Sequence, residues 1–148
     1  MPRVLMDTTT YVDLQRAKSH RRELWAVNTI KHAAVHTMAH GKPCLSPLGI
    51  MEITQGFEEG LKEAKLKTFL EDILPMFEVV GFGVTEACLA GEIYATLEGK
   101  RQRIGVADTG IAATAILQGL TVVTSNRRHF QRIIDLGYAL PLLNWREE

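Results

Sequence analysis

Apolar positions along the chain fall into two rhythms. Short runs at Arg3-Val4-Leu5-Met6, Pro43-Cys44-Leu45, Phe77-Glu78-Val79-Val80 and Leu120-Thr121-Val122-Val123-Thr124, with a last one near 140–143, read as brief strands. Between them the spacing turns helical. Leu24, Val27, Ile30, Ala34 and Met38 mark an amphipathic helix over 23–39, ended by Gly41. Leu61, Leu66, Phe69, Leu70 and Ile73 are the expected inward positions of a charged helix over 58–74, stopped by Pro75. Thr85 is placed to cap a helix through Ala87, Ala90, Gly91, Tyr94 and Leu97. A helix starting near Tyr11 and another opened by Ser46-Pro47 and ended around Gln55-Gly56 complete the alternation. A short helical turn around Phe130 and Ile133 follows, and Trp145 closes the pattern.

The chain is organised around residues 104–130. Asp108 precedes the small-residue run Ile111-Ala112-Ala113-Thr114-Ala115-Ile116-Leu117, which suits a helix packed closely on a sheet. Gly119 stands where a helix C-cap is expected, and the β-branched run after it leads to Ser125-Asn126. Asp108 thus lies at a helix N-terminus and Asn126 just past the C-terminal end of a strand, where open α/β sheets carry their chemistry. Repeated strand–helix alternation with short connections predicts an α/β fold, a mainly parallel sheet covered by helices, built as one domain over 1–148. At 148 residues such a domain can bury a sizeable core.

Composition narrows the classes. Lys plus Arg equals Asp plus Glu, at 17 each, so no global basic field announces nucleic acid. Positive charge is grouped locally at Arg16, Lys18, Arg21 and Arg22, at Lys100, Arg101 and Arg103, and at Arg127 and Arg128. Solvated loops account for any one group; three together leave room for a phosphate-binding surface. No run is long and apolar enough to span a membrane, and no secretion signal is apparent. Cys44 and Cys88 sit apart in apolar settings and read as buried, reduced thiols, as suits a cytoplasmic protein. His32, His36 and His40 repeat every four residues; without a neighbouring carboxylate or thiolate, an exposed polar stripe outweighs a metal site.

Three acids share one structural logic. Asp7 follows the first strand, Glu52 lies on the helix after the second, and Asp108 opens the helix before the fourth. Each has an ordinary alternative: Asp7 with Thr8, Thr9 and Thr10 can cap a helix, and Glu52 can be a surface residue. Several carboxylates at one sheet edge repel unless a cation neutralises them, and oxygen ligands with open positions suit Mg²⁺ or Mn²⁺. Such a site can act on a phosphodiester.

The sequence resembles the PIN-domain family, and within it the VapC-like toxins of type II toxin–antitoxin pairs. The resemblance rests on Met6-Asp7-Thr8-Thr9-Thr10-Tyr11-Val12, on Leu45 to Ile53 around Glu52, on Asp108-Thr109-Gly110-Ile111-Ala112-Ala113-Thr114, on Leu120 to Phe130, and on Trp145. It implies a three-layer α/β/α sandwich with a sheet of four to five strands. It also implies a Mg²⁺-dependent endoribonuclease (Mn²⁺ being the substitute) that hydrolyses RNA, is inhibited by a cognate antitoxin and forms a homodimer. Asp7, Glu52 and Asp108 would hold the ion, and Asn126 would join them in catalysis. Thr8 and Thr124 would make supporting polar contacts, and Arg101, Arg103, Arg127 and Arg128 would bind RNA phosphates. Asn126 stands where some members carry a fourth acid and Thr9 where Asn or Ser is commoner, so one ion is expected in the free protein. His129 would help the leaving group, contact phosphate or simply pack beside Phe130. Two alternatives are a non-catalytic PIN-like RNA-binding or scaffold protein, and a phosphotransferase with Asp7 as nucleophile, against which Thr9 replaces the second Asp such enzymes carry.

Overall fold

Where each short strand sends its side chains decides the layering. In the computed structural model, which describes residues 2–57 and 62–148, five strands pair in parallel in the order β3-β2-β1-β4-β5. They are β1 (Val4–Met6), β2 (Cys44–Leu45), β3 (Glu78–Val79), β4 (Thr121–Val123) and β5 (Leu142–Leu143). Leu5 stands opposite Cys44 on one side and Val122 on the other, and Met6 opposite Val123. Leu5, Cys44 and Val122 point to a core shared with Ile93 and Leu97 of α5 (Val84–Gly99), Ile111, Ala112 and Ala115 of α6 (Val106–Gln118), and Phe130 and Ile133 of α7 (Arg127–Ile134). Val4, Met6, Leu45 and Val123 point the other way. There they meet Tyr11 of α1 (Thr8–Ala17), Ala33 of α2 (Leu24–His40), Ile53 of α3 (Pro47–Gln55), Phe69 and Phe77. The expected three-layer α/β/α sandwich is what forms. Fully burying one such aliphatic or aromatic side chain contributes about 1.5–3 kcal/mol.

Small residues let α6 sit close. Ala112, Ala113 and Ala115 are buried, and a Cβ on Gly110 would lie 1.9 Å from Leu48 Cδ1 and 3.2 Å from Phe82 Cε2. Gly119 ends α6 in the left-handed conformation at φ 68, as its position predicts. No helix among the described residues is long and apolar enough to cross a membrane.

Several expectations are corrected. The first helix begins at Thr8 rather than near Tyr11, because Asp7 caps it. The helix expected to open at Asp108 begins two residues earlier, at Val106, which puts Asp108 in its first turn. Gly83, not Thr85, precedes α5. Leu61 and the start of the helix expected over 58–74 lie outside the described residues. The remainder is α4 (Lys62–Thr68), a π-helical turn (Phe69–Ile73) and a 3-10 turn (Leu74–Met76) that contains Pro75 instead of stopping before it. Phe69 is buried but Leu70 is 48% exposed. Cys88 is exposed; only Cys44 is a buried thiol.

The largest correction concerns α2. Leu24, Val27 and Met38 are 66%, 45% and 89% exposed, while Ala26, Asn28, Thr29 and His36 form the buried face. His36 is therefore no exposed stripe. Its Nε2 accepts the Val4 N–H at 3.2 Å, and its Nδ1 donates to the Gly41 carbonyl at 3.2 Å. The chain end docks on the same helix pair. Trp145 is buried, Arg146 makes two bonds to buried Asp13 at 2.7 and 2.6 Å, and Asn28 donates to the Arg146 carbonyl at 2.8 Å.

Candidate active site

The strand order reverses direction of growth at β1, which has β2 on one side and β4 on the other. A parallel sheet opens its crevice beyond the C-terminal ends of strands at such a point. Asp7 is the first residue past β1 and is 1% exposed. Its backbone N–H donates to Val123 O at 3.1 Å, which ties it to the end of β4. Oδ1 accepts the Thr10 N–H at 2.9 Å, so the helix-cap role is real. The Thr9 hydroxyl lies 2.8 and 3.0 Å from the two carboxylate oxygens, and its oxygen accepts the Ser125 N–H at 3.2 Å. Thr124 Oγ1 accepts the Asn126 N–H at 2.8 Å. Hydroxyls thus knit the start of α1 to the loop after β4.

The other two acids arrive from helices. Glu52, on α3, accepts the Thr8 hydroxyl at 2.6 Å. Asp108, in the first turn of α6, accepts from His129 Nδ1 at 3.0 Å, and the His129 and Asp108 side chains are 36% and 19% exposed. Burial lifts the Asp7 carboxyl above its ordinary range; hydrogen bonds from Thr124, Thr10 and Thr9 hold it back, and the Asp108 charge lifts it further. No lysine or arginine among the described residues pairs with any of these three acids. A buried carboxylate beside a second one, with hydroxyls in place of cationic partners, is a donor set short of positive charge. No three His, Cys, Asp or Glu side chains among the described residues stand close enough to enclose an ion directly. Carboxylate oxygens are donors that suit a hard cation, and Mg²⁺ usually keeps several of its waters.

The structure therefore brings Asp7, Thr8, Glu52, Asp108 and Thr124 to one sheet edge. Asn126 precedes α7, and its side chain makes no capping hydrogen bond to that helix. Arg127 and Arg128 are exposed in the first turn of α7, beside a shallow depression of about 430 Å³ that Gln131, Arg132 and Asp135 also line. Arg101 and Arg103 lie in the loop leading to α6; Arg103 pairs with Glu98 at 3.0 Å, and Arg101 adopts φ 57. Sequence reasoning missed Thr9, whose hydroxyl serves both Asp7 oxygens, and the bond from His129 to Asp108. A hydroxyl two residues after an acid could have signalled the first; 21 residues separate the second pair, and nothing local announces it.

The model of the PIN domain family matches residues 4–136. The chain belongs to this family. Within it the chain is VapC-like. A tRNA(fMet)-specific endonuclease VapC of Salmonella typhimurium is 30% identical over 134 residues, covering 90% of this chain and 93% of that protein. A ribonuclease VapC2 of Haemophilus influenzae is 32% identical over 105 residues, 71% of this chain and 76% of that one. The fold of this PIN domain matches DNA-bound VapBC from Salmonella typhimurium with a TM-score of 0.75 at 26% identity, over 98% of this chain and 99% of the other.

Proposed function

We propose that this PIN domain is a divalent-cation-dependent endoribonuclease, a VapC-like toxin whose activity a cognate antitoxin blocks. One observation carries the reading. Three carboxylates from separate segments lie at the C-terminal edge of a parallel sheet, held by Thr8, Thr9, Thr124 and His129, and no lysine or arginine among the described residues pairs with them. Asp7, Glu52 and Asp108 would hold one Mg²⁺ or Mn²⁺, partly through water. Bound there, the ion would supply positive charge beside a phosphodiester and would make water more acidic. Thr9 and Thr124 fix the Asp7 carboxylate, and Thr8 fixes Glu52, so that their lone pairs are aimed before substrate arrives. Asn126, uncharged and uncommitted, contacts substrate or an ordered water. Arg127 and Arg128 hold RNA phosphates next to it, with Arg101 and Arg103 extending that surface from the loop before α6.

The antitoxin reading is supported by the exposed apolar face of α2. Of that face Met38, with Ile30 and Ala34 of the same helix and Leu14, Pro43, Met76 and Phe77, lines a groove of about 490 Å³ rimmed by Lys18 and Arg21. That lining suits a partner segment of apolar residues interspersed with acids. A second apolar depression, of about 350 Å³ between Leu48, Phe82, Tyr94 and Val106, offers the face for a homodimer. Cytoplasmic residence fits a toxin acting on cellular RNA. Expressing the chain alone and with its neighbouring gene tests the toxin role: growth arrest relieved by the neighbour is expected, and unimpaired growth with intact protein levels would contradict it.

A further inference from the structure

We infer that His129 is a positioning residue for the cation site, acting on Asp108; this rests on the proposed function above. The ring is held from behind. Phe130 and Ile133, its neighbours on α7, are fully buried, and Arg132 of the same helix donates to Gln102 O and Arg103 O at 3.4 and 2.9 Å. These contacts fasten the first turns of α7 against the segment that leads into α6. From that anchored helix His129 reaches Asp108 Oδ2 at 3.0 Å. A carboxylate only accepts, so the ring presents Nδ1–H to it. One oxygen of Asp108 is thereby fixed, which leaves Oδ1 as the freer donor. Asp7 is held by Thr9 and Thr10, and Glu52 by Thr8. Asp108 is the one acid of the three whose holder is not a threonine beside the start of α1. Its holder instead comes from α7, the helix that carries Arg127 and Arg128. His129 therefore couples the placement of a metal donor to the helix that presents the phosphate-binding arginines.

The test separates the hydrogen bond from the bulk of the ring. His129→Asn puts an N–H donor close to where Nδ1 stands; His129→Leu keeps apolar bulk and removes the donor. Mn²⁺ affinity is measured by calorimetry on the full chain, together with thermal unfolding without metal. His129→Leu is expected to bind Mn²⁺ about 10-fold or more weakly, the cost usual for losing an outer hydrogen bond to a ligand. His129→Asn is expected to bind nearly as the parent does, and all three should share one metal-free Tm. A Leu variant with the parent's affinity would overturn the inference, as would an Asn variant as weak as Leu. A parent that takes up no Mn²⁺ sinks the cation site and this inference with it. A parent that binds Mn²⁺ but leaves RNA intact sinks the nuclease reading alone, and the variant series still decides His129.

Discussion

Removing the Arg146 side chain should cost this protein a large share of its stability, although only two residues follow Arg146 in the sequence. The guanidinium makes two charge-assisted bonds, at 2.7 and 2.6 Å, to Asp13 on α1, and lies 5.0 Å over the Trp25 ring. The Asp13 side chain is 6% exposed and the Arg146 side chain 41%. Arg146→Ala leaves a buried carboxylate without its partner, a loss of 3–5 kcal/mol in a fully buried pair. Water reaches the arginine end, so we expect about 2 kcal/mol for the pair and roughly 0.5 kcal/mol more for the ring contact. At about 2–4 °C per kcal/mol for a chain of this length, Tm should fall by roughly 5–10 °C. Arg146→Lys should recover part of this, since lysine restores the charge but not the paired geometry. Calorimetric unfolding of both variants, with Asp13→Asn and the double variant completing a cycle, measures the coupling. A loss under roughly 0.5 kcal/mol in Arg146→Ala, the level of an ordinary surface change, would refute the reasoning.

Asp7→Asn should raise metal-free Tm at neutral pH. Burial lifts the folded-state pKa of Asp7, so ionised Asp7 opposes folding once pH rises through that value, and the gain should fade as pH falls towards about 3.9; an Asn variant no more stable than the parent at pH 7 would contradict this. Burial lowers the His36 pKa, countered by the bond to Gly41 and helped by the nearby His40 and Arg3 charges. Stability contributed by neutral His36 is thus present above about pH 6.5 and lost as pH falls below it. His36→Gln should flatten the fall in Tm between pH 7.5 and 5.5, conditions set about one unit either side of that value; parallel curves would show that His36 does not titrate there. Arg127→Ala with Arg128→Ala should weaken RNA binding and reduce its salt slope by roughly one to two. A double variant with the parent's slope would leave both as solvated charge.

Much of this molecule was legible in its sequence because its elements announce themselves locally. The β-branched run ending in Thr124, the alanines of α6 and the acids placed after β1 and within α3 and α6 all follow from spacing and propensity. The orientation of α2 was not legible. A stripe of Leu24, Val27 and Met38 has the period of a core face, and period alone cannot tell a buried face from an exposed one. The buried face instead uses Thr29, Asn28 and His36, whose polar atoms bond Trp25 O, Arg146 O, Val4 N–H and Gly41 O. Such partners exist only once the chain has folded. The Asp13–Arg146 pair, 133 residues apart, was hidden for the same reason. At the site, residue types were readable, while the holders Thr9 and His129 depended on how α1 and α7 lie against their acids.

The most direct measurement is cleavage of a single-stranded RNA by the purified chain, freed of its antitoxin, with Mg²⁺, with excess EDTA, and with Asp7→Asn in Mg²⁺. Expected are endonucleolytic products with Mg²⁺, none with EDTA, restoration when Mg²⁺ or Mn²⁺ is returned, and a loss of at least about 100-fold in the folded Asp7→Asn variant, by analogy with removal of a catalytic electrostatic group. Cleavage that persists undiminished in EDTA or in Asp7→Asn would contradict the proposed function.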